Sequence, residues 1–227
     1  MSKLKDIIKT IAAFLVHPIY LIRDNCRLFH CTIHGGKGNR LQMKDAWLTD
    51  TVISFQGSDN EISVHDCHLF NSNIFIRGTG HRILIDSGVQ LFNVRIKVIG
   101  HNNTIRIGKG TRFGGGNIIH GGESLEISIG RYCYFAEGID IWSTDTHSIY
   151  DAENRGVALN KPLSIIIGNH VWAGKDVAIL KGVHIGDDSV IGMRTLVTKD
   201  IPAGTLNVGS PSRVIRSGII WNPTNPD

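Results

Sequence analysis

A mostly apolar residue returns every six positions along the last third of this chain, and that period restricts the fold more than any other feature. Two series follow it, offset by two residues, and a glycine comes directly after most members of the first. The first series is Ile167, Ala173, Ile179, Ile185, Ile191, Val197 and Ala203, and the second is Ile165, Val171, Val177, Val183, Ser189, Thr195 and Ile201. These periods of two and six do not fit the 3.6-residue period of an α-helix.

The six-residue repeat predicts a parallel β-solenoid. Each unit supplies one short strand and one corner, and three units close a triangular coil. The residues of both series then point inward and stack on their equivalents in the next coil. Glycine makes up 26 of the 227 residues, and a glycine at a corner permits a left-handed or crowded backbone. We therefore predict an all-β fold with a regular solenoid over residues 105–216.

The same pattern is weaker upstream, over residues 29–104. Apolar pairs recur there roughly every ten to twelve residues, a spacing that suits strands but not a helix. The pairs are Ile62/Val64, Ile74/Ile76, Ile83/Ile85, Val94/Ile96 and Ile105/Ile107. We expect this segment to form irregular coils of the same solenoid.

Residues 1–28 begin with Lys3 and Lys5 and continue into an apolar run that His17-Pro18 interrupts. The run is shorter than the about 20 apolar residues of a membrane span, and no small-residue cleavage site follows it. We predict an amphipathic helix that caps the solenoid. It packs on the fold or touches a membrane surface through residues 4–22, and a cleaved signal is a third alternative. The tail, residues 217–227, is the expected cap at the other end.

Composition excludes several classes of function. Charged residues make up 19% of the chain, and the lysines and arginines behind the net charge of +4 are dispersed, so we predict no nucleic-acid partner. The four cysteines are irregularly spaced, which favours reduced thiols in the cytoplasm. The segment from His65 to His68 contains two histidines and a cysteine but lacks the spacing of a zinc site, so no metal is predicted.

One polar excursion, residues 143–163, interrupts the regular part and is the candidate functional loop. It carries His147, whose imidazole can accept a proton from a hydroxyl near neutral pH and later release it. An ordinary surface histidine is the alternative interpretation. Asp145 could orient His147, bind a sugar, or be a solvated carboxylate.

Three segments together resemble a known family. They are Ser143 to Asp151, the turn Val171-Trp172-Ala173-Gly174, and Gly209 to Arg216. They are similar to the hexapeptide-repeat acyltransferases, in particular the sugar and polysaccharide O-acetyltransferases, and the similarity covers residues 105–216 well and the first hundred poorly. The resemblance implies a left-handed parallel β-helix, a homotrimer, and acetyl transfer from acetyl-CoA to a sugar hydroxyl of a bacterial surface polysaccharide or its precursor.

The resemblance also implies roles for individual residues. His147 is the expected general base, Trp172 lies beside the thioester, and Asp145 and Asn117 contact the acceptor. Two departures concern the donor groove: Met193-Arg194 replaces a small residue followed by glycine, and Ser210 replaces an asparagine. The residues expected to bind acetyl-CoA are Trp172, Gly174, Lys175, Met193, Thr198, Lys199, Arg213 and Arg216.

Two other functions stay open at this point. One is N-acetylation of a nucleotide-linked amino sugar, and the other is a non-catalytic solenoid scaffold. No serine or cysteine has a recognisable activating partner in the sequence, so direct transfer is expected rather than an acyl-enzyme. The expected location is the cytoplasm, with peripheral contact at the inner face of the membrane as the variant that the first helix would allow.

Overall fold

The computed structural model describes residues 19–224, which form a triangular prism of three parallel sheets. Its first sheet consists of β1 (Tyr20–Asp24), β4 (Arg40–Lys44), β7 (Glu61–His65), β10 (Arg82–Ile85), β13 (Thr104–Ile107), β16 (Glu126–Ile129), β19 (Ile165–Ile167) and β22 (His184–Ile185). The second consists of β2 (Arg27–Phe29), β5 (Trp47–Thr49), β8 (His68–Phe70), β11 (Gln90–Phe92), β14 (Arg112–Phe113), β17 (Tyr134–Phe135), β20 (Trp172–Ala173), β23 (Val190–Ile191), β25 (Thr205–Val208) and β26 (Arg213–Ser217). The third consists of β3 (Thr32–His34), β6 (Val52–Gln56), β9 (Asn73–Thr79), β12 (Val94–His101), β15 (Gly116–Glu123), β18 (Ile139–Trp142), β21 (Ala178–Leu180) and β24 (Leu196–Val197).

From β1 to β24, successive strands along the chain belong to successive sheets and pair in parallel, so the prediction of a parallel β-helix is confirmed. We call the outer surfaces of the three sheets the first, second and third faces. The edges between them are named by the faces they join, such as the third–first edge.

The core is built from columns of aliphatic residues that stack from coil to coil. In the first sheet Ile62 pairs with Ile83, and Ile83 pairs in turn with Ile105. All three are 0% exposed. Burying one such side chain stabilises the fold by about 1.5–3 kcal/mol, so the columns provide most of the driving force. The two predicted inward series are buried as far as Val197 and Ile201.

The six-residue register ends earlier than predicted. Ala203 was expected to point inward, but it is exposed, and Ile201 bridges to Ile185 instead. The last coil is shorter than those before it, because only sixteen residues separate Ile185 from Ile201. Asn207 and Thr205 then occupy buried positions at this end, where they satisfy each other by a 2.9 Å hydrogen bond.

The N-terminal coils are more regular than the sequence indicated. Strands of the first sheet begin 20 to 22 residues apart, at Tyr20, Arg40, Glu61, Arg82 and Thr104. The sequence pattern showed only two of their three strands per coil. The third, on the second sheet, is three residues long and turns a single apolar side chain inward, such as Leu69 or Leu91, so no apolar pair marks it.

The predicted helix over residues 1–28 is wrong over its last third. Tyr20–Asp24 and Arg27–Phe29 are strands of the first coil. Leu21 pairs with Leu41 and packs on the core. A strand here pairs with β4 and places Leu21 on the core, whereas a helix would leave the edge of β4 unpaired. The rest of the predicted helix lies outside the described residues.

The corners use two kinds of residue. Gly186 has an ordinary φ, but a Cβ there would lie 2.7 Å from Ala203 Cα in the next coil, so this glycine permits close approach. The left-handed backbone position falls two residues later, at Asp188 (φ 60°). Asn and Asp tolerate that conformation better than most residues. Arg194 also occupies it, with φ 57°, where the related enzymes are expected to have glycine.

The C-terminal end is closed by a change of direction. β26 pairs antiparallel with β25, and the chain then returns along the outside of the second face. Ile219 N–H donates to the Gly204 carbonyl, and Trp221 packs against rings of that face. The expected tail cap therefore lies largely on the side of the prism.

Candidate active site

The polar excursion leaves the prism at the third–first edge. It follows β18 and ends before β19, and residues 143–163 contain neither helix nor strand, as predicted. Its two ends are held together by the Leu163 N–H, which donates to the Ser143 carbonyl at 3.1 Å. The loop is thus an exposed protrusion on a rigid base.

His147 is exposed near the start of this loop. Its Nδ1 lies 3.1 Å from Thr146 Oγ1, and its backbone carbonyl accepts a 2.8 Å hydrogen bond from Asn160 Nδ2. Within residues 19–224, Nε2 has no hydrogen-bond partner, so this nitrogen is available to a hydroxyl. The geometry suits an imidazole that exchanges a proton with a substrate.

Asp145 is not paired with His147. Its Oδ2 accepts a 2.7 Å hydrogen bond from Asn160 and forms an ion pair with Lys181 of the next coil. The Lys181 ammonium holds the pKa of Asp145 below its usual value. Burial opposes this by a smaller amount, and the hydrogen bond from the Asn160 amide lowers the pKa by less again. The carboxylate is therefore charged and engaged within the protein.

The base of the loop contains a buried pair that the sequence analysis missed. His120 points into the core, with Nδ1 2.7 Å from Ser143 Oγ and Nε2 3.1 Å from the Leu125 carbonyl. The Gly121 N–H donates to the same Ser143 oxygen. Burial lowers the pKa of His120 to about 4, so the imidazole is neutral and accepts the Ser143 proton at Nδ1. The only sequence signal was a histidine at an inward position after Ile118.

Trp172 stands on the second face and is 45% exposed. It has a neighbour that the sequence did not indicate, Trp221 of the tail, at 5.9 Å between ring centroids. Trp221 is only 8% exposed, stacks on His170 at 4.1 Å, and donates from Nε1 to the His170 carbonyl at 2.7 Å. The tail therefore builds an aromatic wall beside Trp172.

The predicted donor-binding residues fall into two groups on different sides of the prism. Trp172 and the β26 residues Arg213 and Arg216 belong to the second sheet, and Gly174, Lys175 and Met193 follow it at the second–third edge. Thr198 and Lys199 follow β24 at the third–first edge, the edge that carries the His147 loop. One chain thus does not bring His147 and Trp172 onto a common face.

Asn117 lies on the third face, in register with Arg95 on one side and Asp140 on the other. Its amide nitrogen donates to Asp140 at 2.8 Å. This position is one coil away from the strand that leads into the His147 loop.

The remaining reactive groups do not form a site. Between residues 19 and 224 no three His, Cys, Asp or Glu side chains are arranged to hold a metal ion, and no helix is long and apolar enough to cross a membrane. All four cysteines are free. Burial raises the pKa of the Cys67 and Cys133 thiols, to about 11 for Cys133, which suppresses their reactivity.

The chain is similar to known transferases. The family model "Bacterial transferase hexapeptide (six repeats)" matches residues 164–199. A polysialic acid O-acetyltransferase of Neisseria meningitidis is 34% identical over 156 residues, which cover 67% of this chain and 71% of that protein.

Two solved structures match nearly the whole described fold. The polysialic acid O-acetyltransferase OatWY superimposes with a TM-score of 0.71 at 30% identity, covering 92% of this chain and 93% of that one. The polySia-specific acetyltransferase NeuO superimposes with a TM-score of 0.75 over 93% and 91% of the chains, and its 24% identity supports the fold alone.

The chain therefore belongs to the hexapeptide-repeat acyltransferase family, whose β-helix is left-handed, as the resemblance implied. Within that family it is an enzyme of the sugar O-acetyltransferase branch, and its donor is an acyl-coenzyme A. The scaffold alternative is set aside by this assignment.

Proposed function

We propose that this enzyme transfers acetyl from acetyl-CoA to a hydroxyl of an anionic surface polysaccharide of the sialic acid type, with His147 as general base. The acceptor class is supported by the relatives named polysialic acid O-acetyltransferases. The structural observation that carries it is a set of cations without carboxylate partners on the third face.

Those cations are Arg77, Arg95 and Lys97, on β9 and β12. None of the three forms an ion pair anywhere in the described part of the chain, and the Arg77 guanidinium lies against the neutral Gln56 amide and the Phe75 ring. Cations that lack internal partners on a flat sheet can bind the repeated carboxylates of an extended polymer. Asn117 continues this track toward the His147 loop.

The chemistry follows from the exposed imidazole. His147 Nε2 accepts the proton of the acceptor hydroxyl while the oxygen of that hydroxyl attacks the thioester carbonyl carbon. The new C–O bond forms, the C–S bond breaks, and the departing thiolate of coenzyme A takes the proton from His147. The Thr146 hydroxyl at Nδ1 keeps Nε2 directed outward.

The donor has suitable contacts in both groups of predicted residues. Lys199, Arg213 and Arg216 are exposed and form no ion pair within residues 19–224, so they are available to phosphates, whereas Lys175 is paired with Glu137 at 3.3 Å. Backbone groups at the corner of Gly174 and Met193 would line the thin pantetheine arm. Trp172, on the second face, would lie beside the thioester. Thr198 would contact the donor from the third–first edge.

A homotrimer would unite the two groups. Because His147 and Trp172 leave one prism at different sides, a site that needs both requires the edge of one chain to meet the second face of its neighbour.

We place the reaction in the cytoplasm, where acetyl-CoA is made, consistent with four free cysteines. Contact with the inner membrane surface, predicted for residues 4–22, remains part of this proposal only for the segment that precedes β1.

The test measures release of free coenzyme A from acetyl-CoA with polysialic acid, a neutral polysaccharide and a nucleotide-linked amino sugar as acceptors. We expect turnover with the polyanion, and a loss of at least about a hundredfold in His147→Ala, the usual size of a general-base contribution. The matched control is His65→Ala, an exposed histidine on the first face. Turnover with the amino sugar alone would replace this proposal by N-acetylation.

A further inference from the structure

Asn160 contacts the polypeptide on both sides of the predicted base. Its Nδ2 donates to the His147 carbonyl at 2.8 Å, and its Oδ1 accepts from the Ile149 N–H at 2.7 Å. The Leu159 N–H donates to the Ile149 carbonyl as well, at 2.8 Å. These bonds fix the backbone from which the imidazole projects, and they come from the far end of the same loop.

We call Asn160, Asp145 and Lys181 together the clamp, and an ion pair attaches the clamp to the prism. Asn160 Nδ2 also donates to Asp145 Oδ2, and that oxygen is paired with the Lys181 ammonium. Lys181 donates in addition to the Asn160 carbonyl at 3.1 Å. It follows β21 in the coil above, and its side chain is only 20% exposed. An ammonium that is largely buried next to a strand is a firmer anchor for the exposed Asp145 than a fully solvated lysine would be.

Within residues 19–224, the bond from Asn160 is the only hydrogen bond that reaches His147 from beyond the adjacent Thr146. Its side chain contacts only the adjacent Thr146, and the loop has no helix or strand of its own. From these contacts we propose that Asn160 and Lys181 are positioning residues of the acetyl transfer, acting through Asp145 and the His147 backbone. The inference rests on His147 being the general base. It also assigns Asp145 to the clamp rather than to the acceptor.

Asn160→Ala and Lys181→Met test this, with Lys181→Arg as the conservative variant. Displacing a reacting group by about 1 Å can cost up to 10²-fold in rate, so we expect kcat to fall about ten- to a hundredfold. The KM for acetyl-CoA should change less than about threefold, because none of the proposed donor-binding residues is substituted. Lys181→Arg should regain most of the rate. Asn154→Ala, an exposed amide of the same loop that contacts only local backbone, should equal wild type.

A second measurement separates positioning from general damage. In a His147→Ala background, adding Asn160→Ala should cause no further loss, because the clamp has no imidazole left to position. An equal additional loss in that background would overturn the proposal. So would a normal kcat in Asn160→Ala while His147→Ala is inactive, a result that leaves the proposed function intact. An active His147→Ala enzyme would instead refute the general base itself.

Discussion

His120 and Ser143 illustrate how a single buried polar contact supports the loop from below. The imidazole is 0% exposed, and each of its nitrogens has one partner. A neutral ring satisfies both, donating from Nε2 to Leu125 and accepting at Nδ1 from Ser143. Protonation would put a charge into the core and a second N–H against the hydroxyl. The residue is therefore expected to tolerate acid poorly.

Stability should fall when the pH drops from about 6.5 to about 4. The unfolded chain binds a proton at His120 near pH 6.5, but the folded pKa is about 4, so acid favours unfolding in this window by at most about 3 kcal/mol. His120→Gln removes the titrating imidazole and should weaken the acid dependence of the unfolding midpoint. Burial also lowers the pKa of His81, so part of the dependence should remain. An unchanged pH profile in the variant would contradict this account.

The corners show what an element of this fold requires. At the Gly186 corner, close coil spacing and a left-handed backbone are separate demands, met by different residues two positions apart. Gly186 meets the first because the next coil lies directly against its Cα, and Asp188 meets the second. The six-residue glycine repeat therefore indicates where neighbouring coils approach closely, rather than where the backbone is left-handed.

Gly186→Ala should destabilise the C-terminal coils. The new methyl group would lie 2.7 Å from Ala203 Cα, and backbone cannot move aside as a flexible side chain can. Overpacking of this kind costs about 1–3 kcal/mol, which denaturant unfolding would detect as a lower midpoint. Gly36→Ala is the matched control, because a Cβ there would have no neighbour within 4 Å among residues 19–224. Equal midpoints for the two variants would disprove the explanation.

For the whole molecule, the division of the candidate site between two sides of the prism has a direct consequence. His147 projects from the third–first edge, whereas Trp172 and its partner Trp221 lie on the second face. If neighbouring chains complete each other's sites, two inactive variants can complement each other. Sites contained in one chain cannot be restored in this way.

His147→Ala and Trp172→Ala chains, each of low activity, should therefore regain activity when they are unfolded together and reassembled. In an equal random mixture one chain in two offers an intact His147 and one in two an intact Trp172, so about a quarter of the sites become complete. Release of coenzyme A by the mixture, compared with each variant treated alone, measures this. Activity no higher than the mean of the two variants would place both residues in one chain.

The fold was predictable from the sequence because a solenoid repeats one local environment. Most inward positions carry an aliphatic side chain, so the six-residue period of Ile167 and its successors indicates the prism without any knowledge of distant contacts. His147 was found because its polar loop interrupts that period. The repeat was not visible in two places. The single-leucine strands around Leu69 were missed, and Tyr20–Asp24 was wrongly predicted to be helical.

The site beyond the histidine depended on contacts between parts of the chain that no local pattern relates. Lys181 and Asp145 are 36 residues apart in sequence, and they meet only because both lie at the third–first edge in neighbouring coils. Trp221 reaches His170 because the tail reverses along the second face. Local periodicity thus specified the strands and their inward faces. The partners of the charged and aromatic groups followed only from the stacking of coils, because stacking sets which corner side chains lie within hydrogen-bonding distance.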